Sequence, residues 1–176
     1  MARFKPLQSS HAENMIIAYT AAMIIISISR QVLYHRRKTG VCYAYPVSTS
    51  GNGSGNLQGS FQTPLGKHRI AEKIGHGMPL LTAFNAREPF CIYNPETDVP
   101  NKDWILTRIL WLEGCETGRN RRGPVDTHAR YIYIHGTHEE DKVGLPASHG
   151  CIRMRNEDML ELFENVAVGE TVRISK

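Results

Sequence analysis

Residues 148–154 read SHGCIRM: a histidine and a cysteine flank one glycine, with Ser148 before them and Arg153 behind. Just upstream, RYIYIHG (130–136) alternates like a half-buried strand and delivers His135 at its end. The loop THEEDKVGLPA separates the two, so both chemically able stretches sit at the edges of one loop that can fold back on itself. A cysteine nucleophile needs a thiolate, and a neighbouring imidazole provides it by taking the thiol proton. The imidazole needs a partner on its other nitrogen, a role the Gly136 carbonyl can fill. Gly150 lets the backbone turn tightly enough to aim N–H groups at an oxyanion. Two other readings stand beside this one. His135, His149 and Cys151 have zinc-ligand chemistry, although His149 and Cys151 are close in sequence and His138, Glu139, Glu140 and Asp141 read as a solvated loop. Cys151 also suits simple packing. The residues alone leave all three open.

Downstream, NEDMLELFENV (156–166) is a helix pattern: Asn156 suits the N-cap, Glu157 and Asp158 suit the first turn, and Met159, Leu162, Phe163 and Val166 share an apolar face. Gly169 ends it and ETVRISK closes as a strand. Upstream, WILTRILWL (104–112) is a dense apolar strand, with Trp104 and Trp111 expected in the core. Residues 75–103 hold four prolines and many polar residues, which predicts a long surface excursion. TPLGKHRI (63–70) is a turn leading into a strand. STSGNGSGNLQGS (48–60) lacks the G-K-[ST] ending of a phosphate loop and is expected as a flexible loop beside a site. IIISISRQVLY (24–34) places Ile24, Ile26, Ile28, Val32 and Tyr34 on one strand face; KTG turns, and VCYAYPV returns as the second strand of a hairpin. The sum is a mostly-β (α+β) domain with one C-terminal helix.

The 176 residues, 41% apolar and 22% charged, suit a single globular domain with a short extension. The net charge of +4 concentrates only at His35–Lys38 and Arg119–Arg122; no aromatic residues interleave with them, so both are expected as solvated turns and nucleic acid is not an expected partner. None of the four cysteines pairs as C-x-x-C, and Cys42, Cys91 and Cys115 are expected as small core residues. The apolar stretch MIIAYTAAMIIISIS (15–29) is short of the ~20 apolar residues that span a bilayer. Arg3 and Lys5 lie far upstream of it and Glu13 borders it, which is a poor signal-peptide pattern. The expectation is a cytoplasmic protein without stable membrane insertion, with a periplasmic location as the alternative.

IHGT, the loop and SHGCIRM together resemble the signature of the L,D-transpeptidase catalytic domain of the YkuD type, in which a histidine precedes [ST]-H-G-C by a similar interval. PVSTS followed by TPLGKHRI resembles that family's second strand and its T-P-x-G turn. The helix after the cysteine and the VGETVRI ending fit as well. The resemblance covers roughly residues 14–175 and implies a YkuD-like β-sandwich or partly open barrel over 14–176, with the C-terminal helix packed beside the catalytic loop and residues 1–13 as an extension. It makes Cys151 the nucleophile and His135 the base, oriented by Gly136, where many members carry serine. The N–H groups of His149, Gly150 and Cys151 would meet the oxyanion, and the His149 side chain would line the pocket. Arg153 would hold strand geometry or a substrate carboxylate, and Ser148 would stabilise the turn. No cofactor or metal is implied.

Such enzymes act on peptidoglycan stem peptides. Attack on the carbonyl of the L-centre of meso-diaminopimelate releases the terminal D-alanine and leaves a thioester. Water as acceptor makes an L,D-carboxypeptidase; an amine of a second stem makes an L,D-transpeptidase forming 3-3 crosslinks. The expected cytoplasmic location and the resemblance of residues 103–127 to a cytoplasmic carboxypeptidase branch favour water, with recycled tetrapeptides or muropeptides as substrates. Arg108, Arg119, Arg121 and Arg122 are candidates to grip the terminal carboxylate, Arg108 because it alternates away from its apolar neighbours. A non-catalytic muropeptide-binding sensor is the alternative of another class, and the oligomeric state is open.

Overall fold

The computed structural model describes residues 21–98 and 103–176. The extension expected at 1–13, and the first part of the apolar stretch 15–29, lie outside the described residues.

The apolar run from Met23 folds as two strands where one was expected. β1 (Met23–Ser27) pairs antiparallel with β2 (Val32–Arg36), Ile26 opposite Leu33. The turn between them ends at Gln31, whose φ is +51° and whose side chain is buried. Its amide donates to the carbonyl of Ile28 (2.6 Å) and to Thr49 Oγ1 (2.7 Å), and accepts from the Thr49 N–H (2.8 Å). The turn resets the alternation, so Leu33 and His35 enter the core in place of Val32 and Tyr34. His35 is therefore no part of a solvated turn: Nε2 lies 3.0 Å from Glu170. β3 (Cys42–Pro46) follows the expected turn at Gly40 (φ +84°). Cys42, expected inside, is exposed at its start.

β4 (Gly66–Ile74) leads into the segment read as a surface excursion, which instead holds a hairpin, β5 (Thr82–Asn85) and β6 (Glu88–Ile92). β7 (Ile105–Gly114), β8 (Tyr133–Gly136), β9 (Ile152–Met154), α1 (Asn156–Asn165) and β10 (Thr171–Ser175) complete the chain. The ten strands among the described residues form one curled, half-barrel sheet in the order β3-β2-β1-β10-β4-β7-β5-β6, with β8 on β7 and β9 on β8. β10 runs parallel to β1, and β9 runs parallel to β8; the other pairings are antiparallel. This is the mostly-β architecture with one helix that the sequence predicts.

Alternation along β7, β8 and β9 divides the apolar residues between two faces. Leu110, Leu112, Ile134, Ile152 and Met154 join Met159, Leu162 and Phe163 of α1 in the main core. Ile109, Trp111 and Tyr133 turn to the opposite face, with Phe84 of β5 and Cys151. The C-terminus of α1 is held by Lys73, whose Nζ donates to the carbonyls of Phe163 (2.6 Å) and Val166 (2.7 Å). At its start the N-cap is Arg155 and not Asn156, whose side chain is drawn inward to other partners.

Candidate active site

The parallel pairing of β8 with β9 sets Ile134 opposite Ile152 and His135 opposite Arg153. With a side-chain period of two, Tyr133, His135 and Arg153 share one face, and Cys151, directly before β9, joins them. His135 and Cys151, sixteen positions apart, are thus brought to the same face of the β8–β9 pair. The second edge of β9 is closed by PVSTS: Ser48 and Arg153 exchange backbone hydrogen bonds of 2.8 and 2.9 Å.

His135 is 1% exposed, and its Nδ1 lies 2.7 Å from the Gly136 carbonyl oxygen. That bond fixes the tautomer with the proton on Nδ1 and leaves Nε2 as the basic nitrogen. Burial lowers the His135 pKa below the ordinary imidazole value, against the opposing pull of Asp103 and the Gly136 carbonyl. Cys151 is half-buried, and the Tyr133 N–H points at its Sγ (3.4 Å) while Sγ lies 3.5 Å from the Tyr131 carbonyl. Its packed surroundings push the thiol up to about 11, the Tyr133 N–H working the other way. The resting thiol and imidazole are therefore both neutral.

Gly136 has a steric reason to be glycine. A Cβ there would stand 2.3 Å from Asn156 Oδ1 and 2.9 Å from the Leu106 carbonyl. Asn156 lies this close because it is the hub of a buried clamp. Thr107 Oγ1 donates to its Oδ1 (2.6 Å), and its Nδ2 donates to the Thr137 carbonyl (2.7 Å) and to Glu140 Oε1 (2.6 Å). The clamp ties the first residue of α1 to the turn that follows His135.

The cysteine loop is equally determined. Gly150 has φ +128°, its carbonyl accepts from Thr63 Oγ1 (3.0 Å), and its N–H donates to Ser148 Oγ (3.2 Å). Ser148 Oγ in turn donates to the Cys151 carbonyl (2.6 Å). Ser148 acts as the turn-stabilising hydroxyl, and Thr63 of the T-P-L-G turn underpins the loop. Arg130 anchors the Gly-rich segment, donating to the carbonyls of Gly55 (3.1 Å) and Gln62 (2.6 Å).

Arg153 is 2% exposed and lies between two carboxylates, Asp103 and Glu139, each at 2.7 Å. It holds strand geometry; its charge is taken up by the protein. Glu139, expected in a solvated loop, is thereby built into the site, and Glu140 is tied to Asn156. The His149 side chain is largely exposed, with Nδ1 3.2 Å from Asp103 Oδ2. Asp103 was not anticipated. It joins His149 to Arg153, and although burial raises its pKa, His135, Arg153 and His149 together hold it below the usual carboxylate range.

The structure does not bring the other nominated arginines to Cys151. A bulge in β7 at Thr107 (φ +69°) breaks the alternation that pointed Arg108 toward the cleft. Arg108 is buried, donates to the carbonyls of Thr107 (2.6 Å) and Met78 (2.8 Å), and lies 5.5 Å from the Phe163 ring centroid. Arg119 pairs with Glu116 (2.8 Å) and Arg121 with Glu113 (3.3 Å), while the Arg122 N–H donates to Asp126 (2.6 Å).

A half-barrel sheet that presents a histidine and a glycine-flanked cysteine on adjacent parallel strands defines a class, and comparison with known families agrees. The L,D-transpeptidase catalytic domain model matches residues 21–174, and the chain belongs to this family. Probable L,D-transpeptidase YbiS of Escherichia coli (strain K12) is 48% identical over 54 residues, which are 28% of this chain and 18% of that protein. Putative L,D-transpeptidase YkuD of Bacillus subtilis (strain 168) is 36% identical over 63 residues, 33% of this chain and 38% of that protein. The matches thus span well under two thirds of these relatives. L,D-transpeptidase 3 from Mycobacterium tuberculosis, in complex with a faropenem-derived adduct, superposes with a TM-score of 0.56 at 17% identity, covering 89% of this chain and 60% of that one. At that identity the likeness is one of fold.

Proposed function

We propose that the protein is an L,D-carboxypeptidase that removes the terminal D-alanine from peptidoglycan tetrapeptide stems in the cytoplasmic recycling of the cell wall. The observation that carries the acyl-transfer reading is the β8–β9 pair, which gathers His135 and Cys151 on one face. As Cys151 Sγ attacks the carbonyl carbon at the L-centre of meso-diaminopimelate, its proton passes to His135 Nε2. Backbone N–H groups of the His149–Cys151 turn receive the oxyanion; with the Gly150 N–H already bonded to Ser148, those of His149 and Cys151 carry this role. Collapse breaks the C–N bond, and His135 returns the proton to the departing D-alanine amine. Water, deprotonated by His135, then attacks the thioester carbonyl, giving the shortened peptide's carboxylate and the free thiol.

The choice of water rests on the resemblance of residues 103–127 to a carboxypeptidase branch. The named relatives, probable or putative L,D-transpeptidases, favour the second reading, in which an amine resolves the thioester and a 3-3 crosslink forms. The faropenem-derived adduct on a structural neighbour supports acylation of Cys151 by a carbapenem-like ring as a further expectation. Purified protein and Cys151→Ala, incubated with a soluble disaccharide tetrapeptide, test the proposal. Loss of one D-alanine, absent in the variant, is the expected product; dimeric products establish the crosslinking alternative; no Cys151-dependent change promotes a muropeptide-binding sensor.

A further inference from the structure

We propose that Arg87, at the tip of the β5–β6 hairpin, is the specificity-determining residue that receives a carboxylate of the substrate peptide; the proposal rests on the acyl-transfer reading of the Cys151 site. Two arginines, Arg153 and Arg130, act on the cysteine directly, and a third, Arg87, lies against the two tyrosines that contact its Sγ. Arg153 is neutralised by Asp103 and Glu139, and Arg130 spends its donors on the Gly55 and Gln62 carbonyls. Arg87 differs from both. Among the described residues no carboxylate lies within ion-pair distance of it, and its one hydrogen bond is a long one to the Tyr133 hydroxyl (3.4 Å).

Aromatic rings hold it in place. The Arg87 guanidinium carbon lies 4.7 Å from the Trp111 ring centroid and 5.3 Å from that of Tyr131. Tyr131 and Tyr133 are also the residues whose carbonyl and N–H meet Cys151 Sγ. A continuous wall thus runs from the thiol along Tyr131 and Tyr133 to a cation. Glu72, an acid of the same neighbourhood, faces His128 at 3.8 Å.

The backbone adds an independent argument. Ala86 (φ +47°) and Arg87 (φ +75°) both occupy the left-handed region, in a two-residue turn where Asn-Gly is the unstrained choice. Strain of this kind persists where surrounding structure over-determines it, and it concentrates at ligand clamps. A planar guanidinium with open donors, half-exposed above aromatic rings, matches a carboxylate. A meso-diaminopimelate–D-alanine terminus offers two: that of the D-alanine and that of the diaminopimelate side chain.

The test separates the subsite from the reaction. Cys151 is labelled with 3-maleimidopropionate and with its uncharged amide, the rates being read at Cys151 by peptide mass spectrometry. In Arg87→Ala the acid-to-amide rate ratio is expected to fall about fivefold, the scale of one partly exposed ion pair, and Arg87→Lys to keep most of it. In the wild type the ratio should also fall with added salt. A ratio unchanged by Arg87→Ala, or a wild-type ratio indifferent to salt, overturns the proposal, and the salt measurement needs no variant to fold. With peptides, Arg87→Ala should raise KM for the tetrapeptide far more than it lowers kcat. Insensitivity of a D-alaninamide analogue to the substitution assigns the terminal carboxylate, and insensitivity of a side-chain amide assigns the other. Equal loss on every peptide contradicts the assignment. Failure of the wild type to cleave any tetrapeptide, with an Arg87-dependent ratio intact, counts against the proposed reaction alone.

Discussion

The Cys151 thiol, pushed up to about 11, and the His135 imidazole, pushed down by burial, are both uncharged at neutral pH. Alkylation of Cys151 by iodoacetamide should therefore keep rising past pH 9 and show no plateau there. The acid limb of kcat/KM, set by a base whose pKa lies below its ordinary value, should fall below pH 6.5. A plateau in alkylation near pH 6 would mean a preformed thiolate–imidazolium pair. At the same scale, Gly136→Ser puts a Cβ 2.3 Å from Asn156 Oδ1 and 2.9 Å from backbone, so a loss of roughly 2–3 kcal/mol in urea unfolding is expected, the cost of overpacking a rigid site. The spacing of His135, Gly150 and Cys151 was legible because the motif is local. Asp103 was not: it meets Arg153 and His149 across nearly fifty residues, and its own neighbours in sequence carry no sign of that path. Arg153 was expected to hold strand geometry or a substrate carboxylate, and the protein carboxylates that flank it, Asp103 and Glu139, were not foreseen.

Among the elements, β8 and β9 carry the site and α1 clamps it through Asn156. Asn156→Ala leaves the Thr137 carbonyl and Thr107 Oγ1 without their buried partner, and about 3 kcal/mol of stability should go with them, together with activity, in paired urea-unfolding and turnover measurements. β4 carries a second device. His68 is buried between the Gly66 carbonyl and Thr127 Oγ1, and burial lowers its pKa to about 4. The unfolded histidine, near 6.5, takes up a proton that the folded one refuses. Stability is therefore full above pH 6.5 and declines as the pH falls toward 4, by about 3 kcal/mol. His68→Gln should flatten that slope in urea-unfolding midpoints measured between pH 7 and pH 4. β8, from its clean alternation, and β7, from its dense apolar run, were readable from sequence, as was α1. The turns that were missed share one cause. Gln31, Ala86 and Arg87 adopt left-handed backbone with no Gly, Asn or Pro to announce it, so a hairpin read as one strand and another read as an excursion. Asn156 looked like a cap because its residue type is shared by caps and buried hubs.

Over the whole molecule, the fold and the family follow from one sheet: residues 21–174 match the L,D-transpeptidase catalytic domain, and the half-barrel brings its signature residues to adjacent strands. What the family leaves open is the acyl acceptor, which depends on how donor and acceptor peptides sit in the cleft, and the sequence carries no local pattern for that. In the proposed account the donor's carboxylate is met by Arg87 and water completes the turnover. The most direct test incubates the protein with a soluble disaccharide tetrapeptide in ¹⁸O-labelled water and follows the products by mass spectrometry, with Cys151→Ala alongside. The account predicts a tripeptide carrying one ¹⁸O in its new carboxylate, free D-alanine, and neither product from the variant. A tripeptide formed equally by Cys151→Ala, or wild-type products in which two stems are joined and no label enters, would contradict it.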